Sequence, residues 1–277
     1  MRELPSGTRN VPFEGIENAR DLGGLPVRGG KVVRKDVLLR SGELSRATDA
    51  DMKLLSERFK LSNIFDFRFY AEVENAKDRV GDGVCYTHLS TLPEVLVNGF
   101  SDGRADSEKI KSEDFTAQLV SFAFNPKAQE LSRQMYPLTV SDTTSQRLYG
   151  EFLRGVLKAE GGSLWHCSQG KDRAGWGTAF LLAALGAERG TIVEDFALSN
   201  ISYAPVVEQL SEKVLQKGGG ENELRFIRSM AGVSVENFER GLDLIDGKYG
   251  GMDRYLEKQL GFSSSQQNKL RDKYLEK

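Results

Sequence analysis

The stretch from Ser163 to Leu185 constrains the fold of this chain more than any other. A short apolar run, Ser163–His166, leads into a tight loop from Cys167 to Arg173, and an apolar helix pattern follows from Ala174 to Leu185. A strand that passes through a tight loop directly into a helix is a building unit of α/β proteins. The sequence therefore predicts an α/β fold with this strand buried in the sheet.

The rest of the chain agrees with a single domain over residues 1–277. Apolar patterns predict strands at 61–67 and 83–89, and helices at 47–59, 106–124, 127–135 and 143–158, the first with Thr48 as its N-cap. The stretch 191–277 is expected to be helical, with glycine breaks at 218–220 and 247–251. The segment 93–135 precedes the loop strand. It is expected either to cover the loop as a lid or to pack as an ordinary helical layer.

Composition excludes several classes of protein. The 277 residues carry a net charge of −2, so no overall basic field favours nucleic acid. Two cysteines form no disulfide framework, and with two histidines they make a zinc cluster unexpected. The sequence has no apolar run long enough to span a membrane and no signal peptide at its start. The chain is therefore expected to be soluble, either cytoplasmic or secreted, without integral membrane association.

The loop has the composition of a phosphate-binding, nucleophilic site. Five residues separate Cys167 from Arg173. Backbone N–H groups in such a loop, together with a helix N-terminus, suit a dianionic phosphate, and a cysteine at the base is favoured as a thiolate nucleophile. The arginine fork binds two phosphate oxygens. Between these two, Ser168, Gln169, Gly170 and Lys171 are expected to line the substrate, Lys171 as a second cation.

Other loop chemistries fit less well. A nucleotide-binding P-loop needs glycine where Trp165 stands and Ser or Thr where Asp172 stands. A serine-hydrolase elbow needs a glycine two residues before its nucleophile, and none precedes Cys167 there. A lone buried cysteine is often only a small apolar residue. Two further classes remain open: a phosphate-binding module without turnover, and a sulfur-transfer enzyme with a similar cysteine loop.

The string from His166 to Gly175 resembles the phosphate-binding loop of bacterial tyrosine phosphatases of the dual- or triple-specificity type. Four more elements resemble the same family: Asn18–Gly24, Leu39–Leu44, Asp66–Arg68 with Glu72, and the stretch from Tyr249 to Phe262. The resemblance implies a protein-tyrosine-phosphatase-like central sheet flanked by helices, with a helical lid insertion and a helical C-terminal extension. It also implies a phosphorylated protein or a phosphoinositide as substrate, since the family includes secreted virulence phosphatases that act on both. A soluble inositol phosphate stays open as an alternative.

The resemblance also implies roles for single residues. Cys167 would be the nucleophile, Arg173 the phosphate anchor, and Asp172 the proton donor, as in myotubularin-like lipid phosphatases. Glu94, which follows Pro93, is the alternative acid, and Lys171 would favour phosphoinositides. Supporting roles around the loop fall to Arg20, Asp21, Asp66 and Arg68. No metal or organic cofactor is expected.

One position departs from the family. Ala174 stands where relatives carry Thr or Ser directly after the loop arginine. A hydroxyl there would donate a hydrogen bond to the cysteine sulfur when it leaves the phosphate. Its loss is expected to slow the second chemical step and leave phosphate binding intact.

Overall fold

The computed structural model describes residues 9–96 and 112–277, with side chains from residue 116 onward in the second range. Its central sheet has five strands, which in spatial order are β1 (Arg20–Asp21), β4 (Leu38–Ser41), β7 (Gly162–His166), β5 (Leu61–Asp66) and β6 (Cys85–His88). β1 is antiparallel to β4, and the other neighbours are parallel. β7 lies in the middle with every residue buried, which confirms the predicted α/β fold.

A small second sheet joins the two ends of the chain. It consists of β2 (Pro26–Val27), β3 (Lys31–Val33) and β8 (Leu275–Glu276). β8 pairs with β3 in antiparallel register. The expectation of helix up to the C-terminus was therefore wrong at these two residues, because strand pairing depends on a distant partner that the local pattern does not reveal.

Twelve helices with defined bounds flank the sheet within the described ranges, and residues 94–96 are helical as well. They are α1 (Asp49–Glu57), α2 (Tyr70–Asn75), α3 (Ser112–Ala123), α4 (Pro126–Ser141), α5 (Thr143–Lys158), α6 (Asp172–Leu185), α7 (Arg189–Ala197), α8 (Ser199–Gln216), α9 (Glu221–Ala231), α10 (Val235–Tyr249), α11 (Met252–Lys258) and α12 (Ser264–Tyr274). α5 has the predicted bounds. Thr48 caps α1 by accepting the Asp51 N–H, as predicted.

The main core is built around α6. From Ala174 to Leu185 every residue of this helix is buried, with Trp176 against Phe180 and Phe238 at ring distances of 5.3 and 4.6 Å. Helices α11 and α12 pack on α6, and their apolar residues belong to the same core cluster. The predicted helical C-terminal part is thus packed into the main core, against α6.

The segment 93–135 is divided between two cores. Residues 97–111, which include the first part of the predicted helix 106–124, lie outside the described residues. The described part of α3 packs with α8 and α9 in a separate apolar cluster that includes Leu119, Leu210 and Phe226. The latter half of α4, with Met135 and Tyr136, belongs to the main core. A lid role for this segment stays a prediction.

Candidate active site

The loop begins at the carboxyl end of β7 and enters α6. The parallel strands β4 and β5 end at the same edge of the sheet, where α/β proteins commonly form their sites. Gly170 has φ +65°, and a Cβ at this position would lie 2.1 Å from the Ser41 carbonyl oxygen. Only glycine fits so sharp a turn against β4.

The backbone C=O groups of the loop face one way and its N–H groups face the other. The carbonyl oxygens of Ser168, Gln169, Gly170 and Lys171 all accept hydrogen bonds from groups in other elements. The N–H groups of residues 168–173 donate no hydrogen bond within ranges 9–96 and 112–277. Because C=O and N–H of a trans peptide point in opposite directions, the N–H groups of 169–172 face away from those partners. Converging N–H groups at a helix N-terminus form an anion site.

Cys167 lies deep at the base of this loop, with 2% of its surface exposed. Ala174 is fully buried and offers no hydroxyl. The Ser168 hydroxyl, a possible replacement, donates instead to the Glu72 carboxylate. Neither neighbour therefore directs a hydroxyl proton at the Cys167 sulfur.

Arg173 is held by Glu72 from α2. Its two terminal nitrogens donate to the two carboxylate oxygens at 2.6 and 2.8 Å. Burial alone would lower the pKa of Arg173, but the Glu72 and Cys167 charges raise it well above its usual value. Burial would likewise raise the pKa of Glu72, and Arg173 and the Ser168 hydroxyl lower it. The arginine is thus permanently charged and fixed in orientation.

Asp172 is paired with Tyr136 from α4. The Tyr136 hydroxyl donates to Asp172 Oδ1 at 2.5 Å. Burial, then the Asp172 charge and this hydrogen bond, raise the pKa of Tyr136 well above its usual value, although a hydrogen bond with the Ser234 backbone opposes the shift. The tyrosine therefore stays protonated and holds one of the two Asp172 oxygens.

Lys171 turns away from the place expected for a substrate cation. The residue is 2% exposed, its Nζ donates to the Met230 carbonyl oxygen, and it lies 5.4 Å from the centre of the Tyr203 ring. Burial lowers the pKa of Lys171, although Asp172 and Cys167 oppose this. The Tyr203 hydroxyl donates to the Gln169 carbonyl oxygen at 2.7 Å. Lys171 and Gln169 thus tie the loop to α8 and α9.

Asp66 and Arg68 form a buried brace beside the loop. Arg68 donates to Asp66 at 2.7 Å and to Asp78 at 2.5 Å. His166, which precedes Cys167, lies between both carboxylates, with its Nδ1 3.2 Å from the Cys167 carbonyl oxygen. Burial would lower the pKa of His166, but Asp78 and Asp66 raise it. The Asp66–Asp78–His166 group has the spacing of metal ligands, yet the Arg68 guanidinium already donates to both of its carboxylates.

The other predicted residues are placed differently. Arg20 lies beneath the loop, where it contacts Asn18, Asp195 and Ser199. The Asp21 carboxylate accepts the backbone N–H groups of Gly23 and Asp36, so it braces the N-terminal segment instead of the loop.

Glu94 is exposed, and within the described part of the chain it shows no hydrogen bond to the loop. Of the two candidate acids, Asp172 is therefore the one that lies at the loop. The choice between them stays a prediction.

Five residues of the site received no role from the sequence: Asn18, Arg40, Glu72, Tyr136 and Asp195. Asn18, Arg40 and Glu72 stand inside the family-like elements, so position in a motif was an available signal. Tyr136 and Asp195 stand in ordinary helical patterns and carry no local signal.

A strand–loop–helix unit with a buried cysteine and a charged, fixed arginine is typical of one class of phosphatases, and comparison with known proteins agrees. The sequence profile of the tyrosine phosphatase family matches residues 11–276. The chain belongs to this family and is a phosphatase.

Two curated relatives match over almost the whole chain. A protein of Cupriavidus necator named as a tyrosine-protein phosphatase is 28% identical over 273 residues, which cover 97% of this chain and 89% of the relative. The triple specificity protein phosphatase PtpB of Mycobacterium tuberculosis is 27% identical over 295 residues, which cover 98% of each. Separately, no helix among residues 9–96 and 112–277 combines the length and apolar character needed to cross a membrane.

Proposed function

We propose that this phosphatase hydrolyses phosphate monoesters through a phosphocysteine intermediate. The Cys167 thiolate attacks phosphorus, the bond from phosphorus to the ester oxygen breaks, and Asp172 gives its proton to that oxygen. Water then attacks phosphorus, the sulfur leaves as thiolate, and Asp172 takes up the proton from water. Because Tyr136 holds Oδ1 of Asp172, the transferred proton sits on Oδ2.

One observation carries this proposal: the carbonyl groups of the loop are bonded to other elements, whereas the N–H groups of 169–172 find no acceptor within the part of the chain that the structure describes. Donors arranged in advance around a phosphate lower the barrier because they need no reorganisation during the reaction. Arg173, fixed by Glu72, adds two charged donors for the oxygens that move in the transition state.

The depth of the nucleophile favours phosphotyrosine as substrate. Cys167 is 2% exposed, so a phosphate on a long, flat side chain reaches it more readily than one on serine. Tyr70, which is 74% exposed, begins the same helix that carries Glu72, and its ring packs edge-on against His88. These aromatic rings suit a phenyl ester at the entrance.

Phosphoinositides are the second candidate, because the Mycobacterium tuberculosis relative is named for triple specificity and because Lys171 follows Gly170 in the loop. The Lys171 ammonium is already bonded to the Met230 carbonyl oxygen, so a second phosphate group has to displace that bond. We therefore expect a phosphotyrosine peptide to be hydrolysed faster than a phosphoserine peptide or a phosphoinositide, measured side by side as released phosphate. Faster hydrolysis of the phosphoinositide than of the phosphotyrosine peptide would contradict this preference.

The Cys167→Ser variant tests the covalent step. We expect it to lose turnover of p-nitrophenyl phosphate and to keep phosphate binding, measured by calorimetry, because the donors and Arg173 remain. In the parent protein, we expect vanadate to inhibit turnover and EDTA to have no effect. Retained turnover in Cys167→Ser refutes the phosphocysteine mechanism.

A further inference from the structure

Beneath the loop, on the side away from the N–H groups, lies a buried cluster of charged and polar residues. Arg40 is fully buried, and one of its terminal nitrogens donates to the carbonyl oxygens of Gly170 and Lys171 at 2.9 and 3.1 Å. The Asn18 amide donates to the carbonyl oxygens of Gln169 and Gly170 at 3.0 and 3.1 Å. Two side chains from distant parts of the chain thus hold three consecutive loop carbonyls.

One residue, Asp195, is linked to both of these side chains, to Arg40 through its carboxylate and to Asn18 through its backbone carbonyl and Arg20. Asp195 of α7 is fully buried and accepts from the other terminal nitrogen of Arg40 at 2.7 Å. Its backbone carbonyl oxygen accepts from Arg20 at 3.2 Å, and Arg20 in turn donates to the Asn18 side-chain oxygen at 2.6 Å. The amide of Asn18 is thereby turned so that its N–H₂ group faces the loop.

We propose that Arg40 and Asn18, oriented by Asp195, are positioning residues that hold the loop carbonyls away from the substrate and so aim the N–H groups at the phosphate. We call these three residues the carbonyl clamp. In a trans peptide the direction of C=O sets the direction of the next N–H, so carbonyls held at Gln169, Gly170 and Lys171 fix the N–H groups of residues 170–172. The catalytic consequence of the clamp rests on the proposed phosphatase mechanism, whereas its mechanical action on the loop does not.

The charge of the cluster suits a place beneath a phosphate. Three guanidinium groups, from Arg9, Arg20 and Arg40, contact the one carboxylate of Asp195. Burial and the neighbouring Arg40 charge lower the pKa of Arg20 to about 9, as expected where positive charge exceeds negative charge. This excess also favours the anionic ligand on the other side of the loop, and it remains without Arg9, because the buried Arg20 and Arg40 still outnumber the one carboxylate of Asp195.

Arg9 provides a matched control. Its side chain donates to Asp195 at 2.5 Å, like that of Arg40, but the only other hydrogen bond of this side chain within the described residues goes to the Asp21 carbonyl oxygen. The variant Arg9→Gln therefore removes a guanidinium from Asp195 and leaves the loop carbonyls untouched. Arg40→Lys keeps the charge but cannot span Asp195 and two carbonyls at once.

The affinity for vanadate measures the effect of the clamp on the anion site formed by the loop N–H groups. We expect Arg40→Lys to raise the vanadate dissociation constant about 10- to 100-fold, because two hydrogen bonds from a charged donor are lost, and Arg9→Gln to change it less than about threefold. kcat/KM should fall by the same factor for substrates with good and with poor leaving groups, since the clamp acts on phosphate binding and takes no part in protonation. An Arg40→Lys variant that binds vanadate like Arg9→Gln overturns the proposal.

A second variant tests the clamp even if Arg40→Lys fails to fold. Asn18 has φ +51°, a conformation that glycine adopts easily, so Asn18→Gly removes the amide without straining the backbone. It should weaken vanadate binding in the same direction as Arg40→Lys. Unchanged affinity in a folded Asn18→Gly contradicts the clamp.

Backbone dynamics separate the clamp from the proposed function. We expect ¹⁵N order parameters of residues 168–172 to lie near ~0.85 in the parent and in Arg9→Gln, and to fall toward ~0.6 in Arg40→Lys and Asn18→Gly. If the parent has no turnover but its loop follows this pattern, the proposed function fails and the clamp stands. If the parent is active and the loop stays rigid in both variants, the clamp fails alone.

Discussion

Replacing Glu72 with glutamine tests how Arg173, the proposed phosphate anchor, is held. Glu72 accepts two hydrogen bonds from Arg173 and one from Ser168. Glutamine has almost the same shape, so the change removes the charge and turns one acceptor into an N–H₂ group that faces the guanidinium. Arg173 then loses one of its two charged bonds and is free to rotate away from the position that the phosphate requires.

The size of the effect follows from burial. The side chains of Arg173 and Glu72 are 13% and 21% exposed, so solvent screens the pair only slightly. A hydrogen bond between charged groups contributes roughly 1.5–3 kcal/mol. If this loss falls on the transition state, kcat/KM decreases about 10- to 100-fold. Any part of this free energy that is lost from the stability of the native state lowers Tm by about 2–4 °C per kcal/mol.

The assay compares two variants of one helix. Glu74 is exposed, lies on α2 beside Glu72, and within the described residues makes no hydrogen bond to the loop. Glu74→Gln therefore changes net charge equally and should keep kcat/KM for p-nitrophenyl phosphate within about twofold of the parent. Rates of both variants are measured together with their Tm. A Glu72→Gln rate within twofold of the Glu74→Gln rate refutes the positioning role.

The same pair predicts a pH dependence of stability. Arg173 lowers the pKa of Glu72 below its ordinary value of 4.5. A carboxylate with a lowered pKa in the folded state stabilises the protein fully above its ordinary pKa and loses that contribution as pH falls through the folded value. The free energy of unfolding should therefore decrease more steeply below pH 4.5 in the parent than in Glu72→Gln. Parallel pH curves for the two proteins would contradict the argument.

Three further outcomes follow from the site. Asp172→Asn should slow phosphotyrosine by ~10²–10⁴-fold and activated aryl phosphates far less, because only a poor leaving group needs the proton; if Glu94→Gln shows this dependence and Asp172→Asn does not, Glu94 is the acid. The parent should release a burst of phenol before slower turnover in rapid mixing, and Ala174→Thr should shrink the burst and raise kcat by about 10- to 100-fold; a parent without a burst removes the need for a hydroxyl at 174. Amide exchange in segment 93–135 should slow when vanadate binds, if this segment covers the site; exchange that does not change counts against a lid.

Local features of this protein were predictable from its sequence because they depend on neighbouring residues. The strand Ser163–His166, the loop after it and the following helix are set by apolar patterning and by the glycine at position 170. Helix α5 and the Thr48 cap follow from periodicity and capping in the same way. The family-like loop string pointed to the phosphatase class before any contact between distant residues was known.

The partners of the loop were decided only by the tertiary structure. Glu72 and Arg173 are 101 residues apart, Tyr136 and Asp172 are 36 apart, and Arg40 and Asp195 are 155 apart. A charged residue in a sequence carries no sign of which opposite charge it will meet, because that depends on which helices pack together. Lys171 shows the same limit: its place in the loop predicted a cation for the substrate, whereas the packing of α9 directs its ammonium to the Met230 carbonyl oxygen. Burial of a charge demands a partner, and only the assembled fold supplies one.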